Sequence, residues 1–345
     1  MAEMDAAEAG ETMRCVVTGA AGFIGSHLAE RLLADGHDVV GIDAFTPFYP
    51  RALKLANIRG LSASRRFGLV EADLASADLA PLLADAEWVF HLAAQAGVRS
   101  SWGGEFAAYT ACNITATQRL LEAAARAPQL RRLVYASSSS VYGDAVTLPV
   151  TEDAPARPLS PYGVTKLAAE HLCTLYAHSF GVPAVSLRYF SVYGPRQRPD
   201  MSFHRFGKAL LQGSEIVVYG DGHQTRDFTY VGDVVEATVR AASAAGVEGE
   251  VFNIAGGAQA SVRGVIATME TVSGRAARVR HEQAAHGDVR DTAADTSRAR
   301  RMLGFVPMVA LCEGVEAEWE YLETLYGAAR STVSRYNHTA LPASA

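Results

Sequence analysis

Cysteine is scarce in this chain of 345 residues: Cys15, Cys112, Cys173 and Cys312 are far apart and none forms a CxxC pair. That spacing suggests neither a zinc site nor a disulfide framework, so no metal is expected and a reducing, cytoplasmic setting fits. Long apolar runs are missing too. No stretch approaches membrane-spanning length, and the amino terminus, with Glu3, Asp5, Glu8 and Glu11, is the opposite of a secretory signal. Asn337-His338-Thr339 matches a glycosylation acceptor, an accidental match without such a signal. Basic charge is outnumbered, 31 Lys and Arg against 37 Asp and Glu, with the signs interspersed. No stripe is left for nucleic acid or an anionic membrane, and any bound anion is expected to be small.

What is present is a regular alternation. RCVVTGA at 14–20, a helically spaced FIGSHLAERLLADG, and DVVGIDA at 38–44 make one βαβ unit. Further strands are expected near 67–74, 87–94, 131–138 and 184–190, with Ala- and Leu-rich helices at 106–127 and 161–180. Continuous apolar strands separated by helices imply a parallel sheet covered on both faces. After about residue 195 the elements shorten and the joints become Gly-rich, which suggests a smaller domain closing over the first.

The first turn carries the first chemical signal. Gly19, Gly22 and Gly25, with Phe23 and Ile24 between them, stand between a strand and a helix, where backbone N–H groups approach a pyrophosphate. Asp43 ends the next strand, 18 residues after Gly25, where a carboxylate accepts from an adenosine ribose and repels a 2′-phosphate; NAD is therefore favoured over NADP. Asp73-Leu74 at the third strand end could contact adenine or simply cap the strand. A second signal is Tyr162-Gly163-Val164-Thr165-Lys166, preceded by the run from Ser137 to Gly143. Residues four apart share a helical face, so Lys166 is expected to sit beside Tyr162 and lower the phenol's pKa. A strand-end serine would share the proton, which suits hydride transfer at a secondary alcohol.

Together these residues resemble the extended short-chain dehydrogenase/reductase family, specifically its nucleotide-sugar epimerases and dehydratases, over roughly residues 13–325. The resemblance implies an α/β, Rossmann-type doubly wound parallel sheet with a smaller C-terminal α/β substrate domain. It also implies an NAD-binding domain at 13–195 with some chain exchange near 225–260 and a mainly nucleotide-sugar-binding domain at 196–330; outside it, a disordered acidic tail is expected at 1–12 and a flexible tail at 331–345. Bound NAD, a UDP- or dTDP-sugar and a homodimer formed by the helices at 106–127 and 161–180 belong to the same implication. By it Leu92, Ala93 and Ala94 border the cofactor, Asn113 holds that region, Ser138 joins Tyr162 and Lys166, and Tyr189 and Phe190 border the nicotinamide. Arg226 would grip the diphosphate, with Asp288 on the substrate side. The family often has an arginine or a Gln-Pro pair before the GDV segment, where this chain reads Ala285-His286-Gly287-Asp288-Val289, leaving Arg290 or His286 as the second side of the clamp.

A 4,6-dehydratase carries an Asp-Glu pair directly before Val-Tyr-Gly, where this chain has Ser139 and Ser140. Without that proton relay, oxidation at C4 and return of the hydride to either face remain, which is epimerisation. HLAAQAGVRSS, which contains Arg99, and RYFSVYGPRQRPDM resemble the UDP-glucuronate 4-epimerases, where groups at the positions of Ser191 and Arg198 lie near the C6 carboxylate. Held by Ser139, Ser140, Ser191 and Arg198, that carboxylate cannot bring its C5–C6 bond perpendicular to a neighbouring ketone, and its loss as carbon dioxide is slowed. UDP-glucuronate is thus the favoured substrate. The alternatives are a UDP-glucose/UDP-galactose 4-epimerase, a UDP-glucuronate decarboxylase, a non-catalytic dinucleotide sensor, and a bracing or phosphate-binding role for Arg196 and Arg198.

Overall fold

A computed structural model describes residues 11–257, 259–284 and 286–336; most of the expected amino-terminal tail, residues 337–345 and Asn337-His338-Thr339 lie outside the described residues. The chain runs β1 (Arg14–Thr18), α1 (Phe23–Ala34), β2 (Asp38–Asp43), α2 (Arg51–Ile58), β3 (Phe67–Glu71), α3 (Ala80–Leu83), β4 (Trp88–His91), α4 (Phe106–Tyr109), α5 (Ala116–Ala124), β5 (Arg132–Ser138), α6 (Pro161–Phe180) and β6 (Ala184–Tyr189). It continues through β7 (Val192–Tyr193), α7 (Ser202–Gln212), β8 (Glu215–Tyr219), β9 (Thr225–Asp227), β10 (Thr229–Tyr230), α8 (Val231–Ser243), β11 (Val251–Ile254), β12 (Gln259–Ser261), α9 (Val262–Ser273), β13 (Arg278–Glu282), α10 (Ser297–Leu303) and α11 (Leu311–Tyr336). Helix α11 thus extends into the segment expected as a flexible tail from 331.

Seven strands form one parallel sheet in the order β11-β6-β5-β4-β1-β2-β3. β4, β5 and β6 are buried along their whole length, as expected of strands covered on both faces. α1 and α8 pack one face around Leu28, Val185 and Phe252; α5 and α6 pack the other around Leu121, Val89 and Cys173. A separate apolar cluster joins α7, α9, α11 and β8 through Phe203, Phe206, Ile216, Trp319 and Leu322. Between its segments the chain returns to the large sheet, where β11 pairs with β6.

The helix expected over 106–127 is not uniform. Its middle, Thr110–Thr115, is a π-helical turn, which widens the spiral and turns the buried Asn113 toward the loop after β4. α6 matches its expected span because both ends are capped locally: the Ser160 hydroxyl accepts from Gly163 N at 3.1 Å, Pro161 opens the helix, and Gly181 closes it at φ 67°.

One buried polar network ties these layers together. Arg188 on β6 donates to both Glu170 oxygens on α6 at 3.0 and 2.6 Å, and Ser137 at the end of β5 donates to the same carboxylate at 2.6 Å. Arg188 also donates to the Tyr142 phenol at 2.7 Å, which donates in turn to Asn253 of β11 at 2.7 Å. Removing one partner of such a pair leaves an unpaired buried charge. Arg188→Met is therefore expected to cost about 3–5 kcal/mol in urea unfolding, and Arg188→Met combined with Glu170→Met to recover much of that loss; equal losses in both variants would assign the effect to packing.

Candidate active site

A cavity of about 830 Å³ opens at the carboxyl ends of the strands, beside the point between β1 and β4 where the strand order reverses. Gly19, Gly22, Phe23, Ile24 and Gly25 line one end. A Cβ on Gly25 would lie 2.2 Å from the Gly19 carbonyl oxygen, so only glycine lets α1 start this close to the turn. No side chain caps the first-turn amides of α1, which leaves an uncapped helix N-terminus above the cradle and suits a pyrophosphate. The residues present fit a dinucleotide.

Asp43, Asp73 and Leu74 line the same end. The Asp43 carboxylate accepts from Ala21 N at 3.1 Å and Phe45 N at 2.8 Å, and Asp73 lines the cavity while also capping its turn by accepting from Ala75 N at 2.9 Å. Leu92, Ala93 and Ala94 form the adjoining wall; the Thr18 hydroxyl accepts from Leu92 N and Ala93 N at 3.2 and 3.1 Å. Asn113 lies behind this wall instead of in it. It accepts from Gln95 N at 2.7 Å and donates to Gln95 O at 3.0 Å and to Thr165 Oγ1 at 2.9 Å, so it supports the loop from below.

Ser138, Tyr162 and Lys166 meet at the floor, with Tyr189 nearby. Close approach is possible because Gly163 carries no side chain: a Cβ there would lie 2.5 Å from Ser140 O. Lys166 is not among the groups that shift the Tyr162 phenol. Burial raises the Tyr162 phenol above its ordinary value, and the groups that oppose this are the Ser138 hydroxyl and the Arg198 cation. Lys166 sits deeper, 4.5 Å from the centre of the Tyr135 ring, and burial brings its own pKa down to about 7. Ser138 accepts from Ser140 N at 3.1 Å, which leaves its hydroxyl proton free to donate to the phenol oxygen. Phe190 instead belongs to a small core with Val141 and Tyr142.

Ser139, Ser140, Ser191, Arg198, Arg226, Arg99 and Asp288 line the other half. The neighbouring Arg196 is turned away, pinned to α1 through Glu30 at 2.7 Å and Ser26 at 3.2 Å. Arg226 donates only to the carbonyls of Thr225 and Arg290 and makes no ion pair among the described residues; burial lowers its pKa, with Asp288 and Asp291 opposing that shift. Arg99 pairs with Asp288 at 2.7 Å across the cavity mouth. Arg290 does not line the cavity, because its guanidinium is drawn outward to Asp221 at 3.2 Å, and His286 is exposed outside it. Sequence reasoning missed Lys54, whose ammonium reaches Asp43 at 3.6 Å, and Tyr219, whose ring lies 4.1 Å from the Arg99 guanidinium carbon. Neither stands in a motif; both arrive by packing. Among the described residues no group of three His, Cys, Asp or Glu is placed to hold a metal, and no helix is long and apolar enough to cross a membrane.

Comparison with known proteins agrees with this geometry. The model of the NAD dependent epimerase/dehydratase family matches residues 15–255. The chain is 48% identical over 315 residues to the uncharacterized UDP-glucose epimerase YtcB of Bacillus subtilis, covering 91% of this chain and 99% of that one. It is 38% identical to a probable UDP-glucuronate 4-epimerase of Rhizobium meliloti, over 93% and 100% of the two chains. Among solved structures it is similar to the UDP-glucuronic acid 4-epimerase of Bacillus cereus in complex with UDP-glucuronic acid and NAD, with TM-score 0.89 and 47% identity over 91% and 100% of the chains.

The depressed pKa of Lys166 has a signed consequence for stability. Between about pH 7 and the ordinary lysine value the unfolded chain holds the proton more tightly, so the penalty for burying this amine is full below pH 7 and fades as pH rises. Lys166→Met is expected to stabilise the ligand-free protein by a few kcal/mol at pH 7, on the order implied by linkage, with the gain shrinking toward pH 10. Thermal unfolding of both proteins across that range checks it, and a gain independent of pH would refute the buried-amine explanation.

Proposed function

The chain belongs to the NAD dependent epimerase/dehydratase family, and on that premise we propose that it interconverts UDP-glucuronate and UDP-galacturonate by epimerisation at C4. One observation carries the reading: a single cavity joins the glycine cradle to Tyr162 and Ser138, and then to the hydroxyls of Ser139, Ser140 and Ser191 with Arg198. The Bacillus cereus structure with UDP-glucuronic acid and NAD supports it.

In this reading the cradle holds the pyrophosphate of NAD, while Asp43 and Lys54 face its adenosine ribose. When bound, NAD supplies the acceptor and later donor of the C4 hydride, and its cationic ring adds positive charge beside the phenol. Tyr162, as phenolate, takes the O4 proton with Ser138 sharing the hydrogen bond, and Arg198 offsets the burial that opposes ionisation. The 4-keto sugar then swings about its diphosphate, anchored by Arg226 with Arg99 and Asp288 at the mouth, and presents its other face. Tyr162 returns the proton to O4.

A 4-keto uronic acid is a β-keto acid, so carbon dioxide leaves readily once the C5–C6 bond stands perpendicular to the plane of the ketone. Ser139, Ser140 and Ser191 hold the carboxylate against that rotation. With serines where a dehydratase carries its acidic pair, elimination has no proton relay. The division into a cofactor unit at 13–195, with 225–260 threaded back, and a mainly sugar-nucleotide unit at 196–330 belongs to the same reading. So do a cytoplasmic location, which free thiols at Cys15, Cys112, Cys173 and Cys312 suit, and a homodimer through the helices at 106–127 and 161–180, supported by the exposed Val164, Leu175 and Phe180 of α6.

Incubation with UDP-glucuronate and, separately, UDP-glucose, followed by NMR without added NAD, is expected to yield UDP-galacturonate and little UDP-pentose. Turnover of UDP-glucose alone would return Arg198 to a phosphate or structural role, and UDP-pentose as the main product would make the enzyme a decarboxylase. Tyr162→Phe is expected to lower turnover by about 10²–10⁴-fold, the usual worth of a general base, while retaining NAD.

A further inference from the structure

The loop between β7 and α7 is held rigidly. Arg196 takes φ 68° and is pinned to α1, and the buried Gln197 donates from its side chain to Val192 O at 3.0 Å and accepts from His204 N at 3.1 Å. On this fixed loop Arg198 turns into the cavity and meets a carboxylate two residues on: its Nε donates to Asp200 Oδ1 at 3.0 Å and its Nη2 to Asp200 Oδ2 at 2.9 Å. Nη1 has no hydrogen-bond partner among the described residues, and Asp200 makes no second ion pair there. Both residues line the cavity with Tyr162, and the Arg198 side chain is the less exposed, 21% against 41%.

We propose that Asp200 sets the sugar selectivity and the working pH of the site by cancelling part of the charge that Arg198 presents to it. The proposal rests on the epimerase reading above and deepens it. The oxygen on C4 must meet Tyr162 and Ser138, and C6 is only two bonds from C4, so a charge on C6 falls within the field of this ion pair. A C6 carboxylate is drawn by Arg198 and repelled by Asp200; a hydroxymethyl group feels little of either. Serine hydroxyls bond both substituents, which leaves the balance of the pair to decide between them. The same balance reaches the Tyr162 phenol, which lies under the influence of Arg198 and Tyr109. Tyr49 from the loop after β2 and His204 of α7, with Lys208 behind it, also face the pair, and Tyr321 of α11 faces Tyr49.

The test measures kcat/KM for UDP-glucuronate and UDP-glucose against pH in wild type, Asp200→Asn, Asp200→Glu and Arg198→Met, with NAD content as the check on folding. Tyr162 must lose its proton to act, so activity is present above its pKa and lost as pH falls. Asp200→Asn is expected to raise the glucuronate-to-glucose ratio up to about tenfold and to move the acid limb of the profile to lower pH. Arg198→Met should move both in the opposite direction, and Asp200→Glu should return both toward wild type. Equal changes for the two sugars with a fixed acid limb in Asp200→Asn would overturn the proposal and make the pair a loop brace. Wild-type turnover of UDP-glucose without UDP-glucuronate would overturn the UDP-glucuronate reading and the selectivity half; the acid limb measured on UDP-glucose would still decide the action on Tyr162.

Discussion

The Arg188–Glu170 pair beneath the cavity floor is the interaction on which the site depends. It closes a chain of buried hydrogen bonds from α6 through β5 and β6 to Tyr142 and Asn253, and so fixes the height of the Ser137–Ser140 run against the first turn of α6. A buried charge tolerates little displacement of its partner, because lost Coulomb energy is not replaced by water. Tyr162 and Ser138 inherit that rigidity: one stands in the first turn of the helix that carries Glu170, the other follows the serine that donates to it.

Above this floor the electrostatics divide by depth. Lys166 is so well buried that its own charge is costly, and its nearest aromatic neighbour is Tyr135. The cation that acts on Tyr162 comes from the other side of the cavity, on the loop carrying Arg198. Proton affinity at the phenol oxygen is thereby tied to the loop between β7 and α7. Arg226, held only by carbonyls, makes no direct ion pair among the described residues, in contrast to Arg99 with Asp288 and Arg198 with Asp200. Arginines that look alike in the sequence differ in how much charge each leaves for a ligand.

Much of the architecture was legible in advance because it rests on local rules. Continuous apolar strands, the Gly19–Gly25 turn, Asp43 at a strand end and the span of α6 follow from periodicity, backbone freedom and capping, all of which act within a few residues. The π-helical turn at Thr110–Thr115 broke the expected helix because Asn113 is drawn to a loop 18 residues away in sequence, a tertiary demand that periodicity does not encode. Lys54 and Tyr219 carried no motif for the same reason.

By itself the sequence determined the class of chemistry: a dinucleotide turn, a strand-end acid, a serine run and a Tyr-x-x-x-Lys helix in that order, with serines where an acidic pair would direct elimination. Only the tertiary structure decided which partner each polar side chain meets. Arg196 became a brace on Glu30, Arg290 was drawn outward to Asp221, Asn113 went behind the wall, and Arg198 was turned inward against Asp200. Spacing along the chain tells which face of a helix or strand a side chain occupies; which partner it meets depends on elements brought together from distant segments, and the energy of a charge is set by that partner and by the depth of burial.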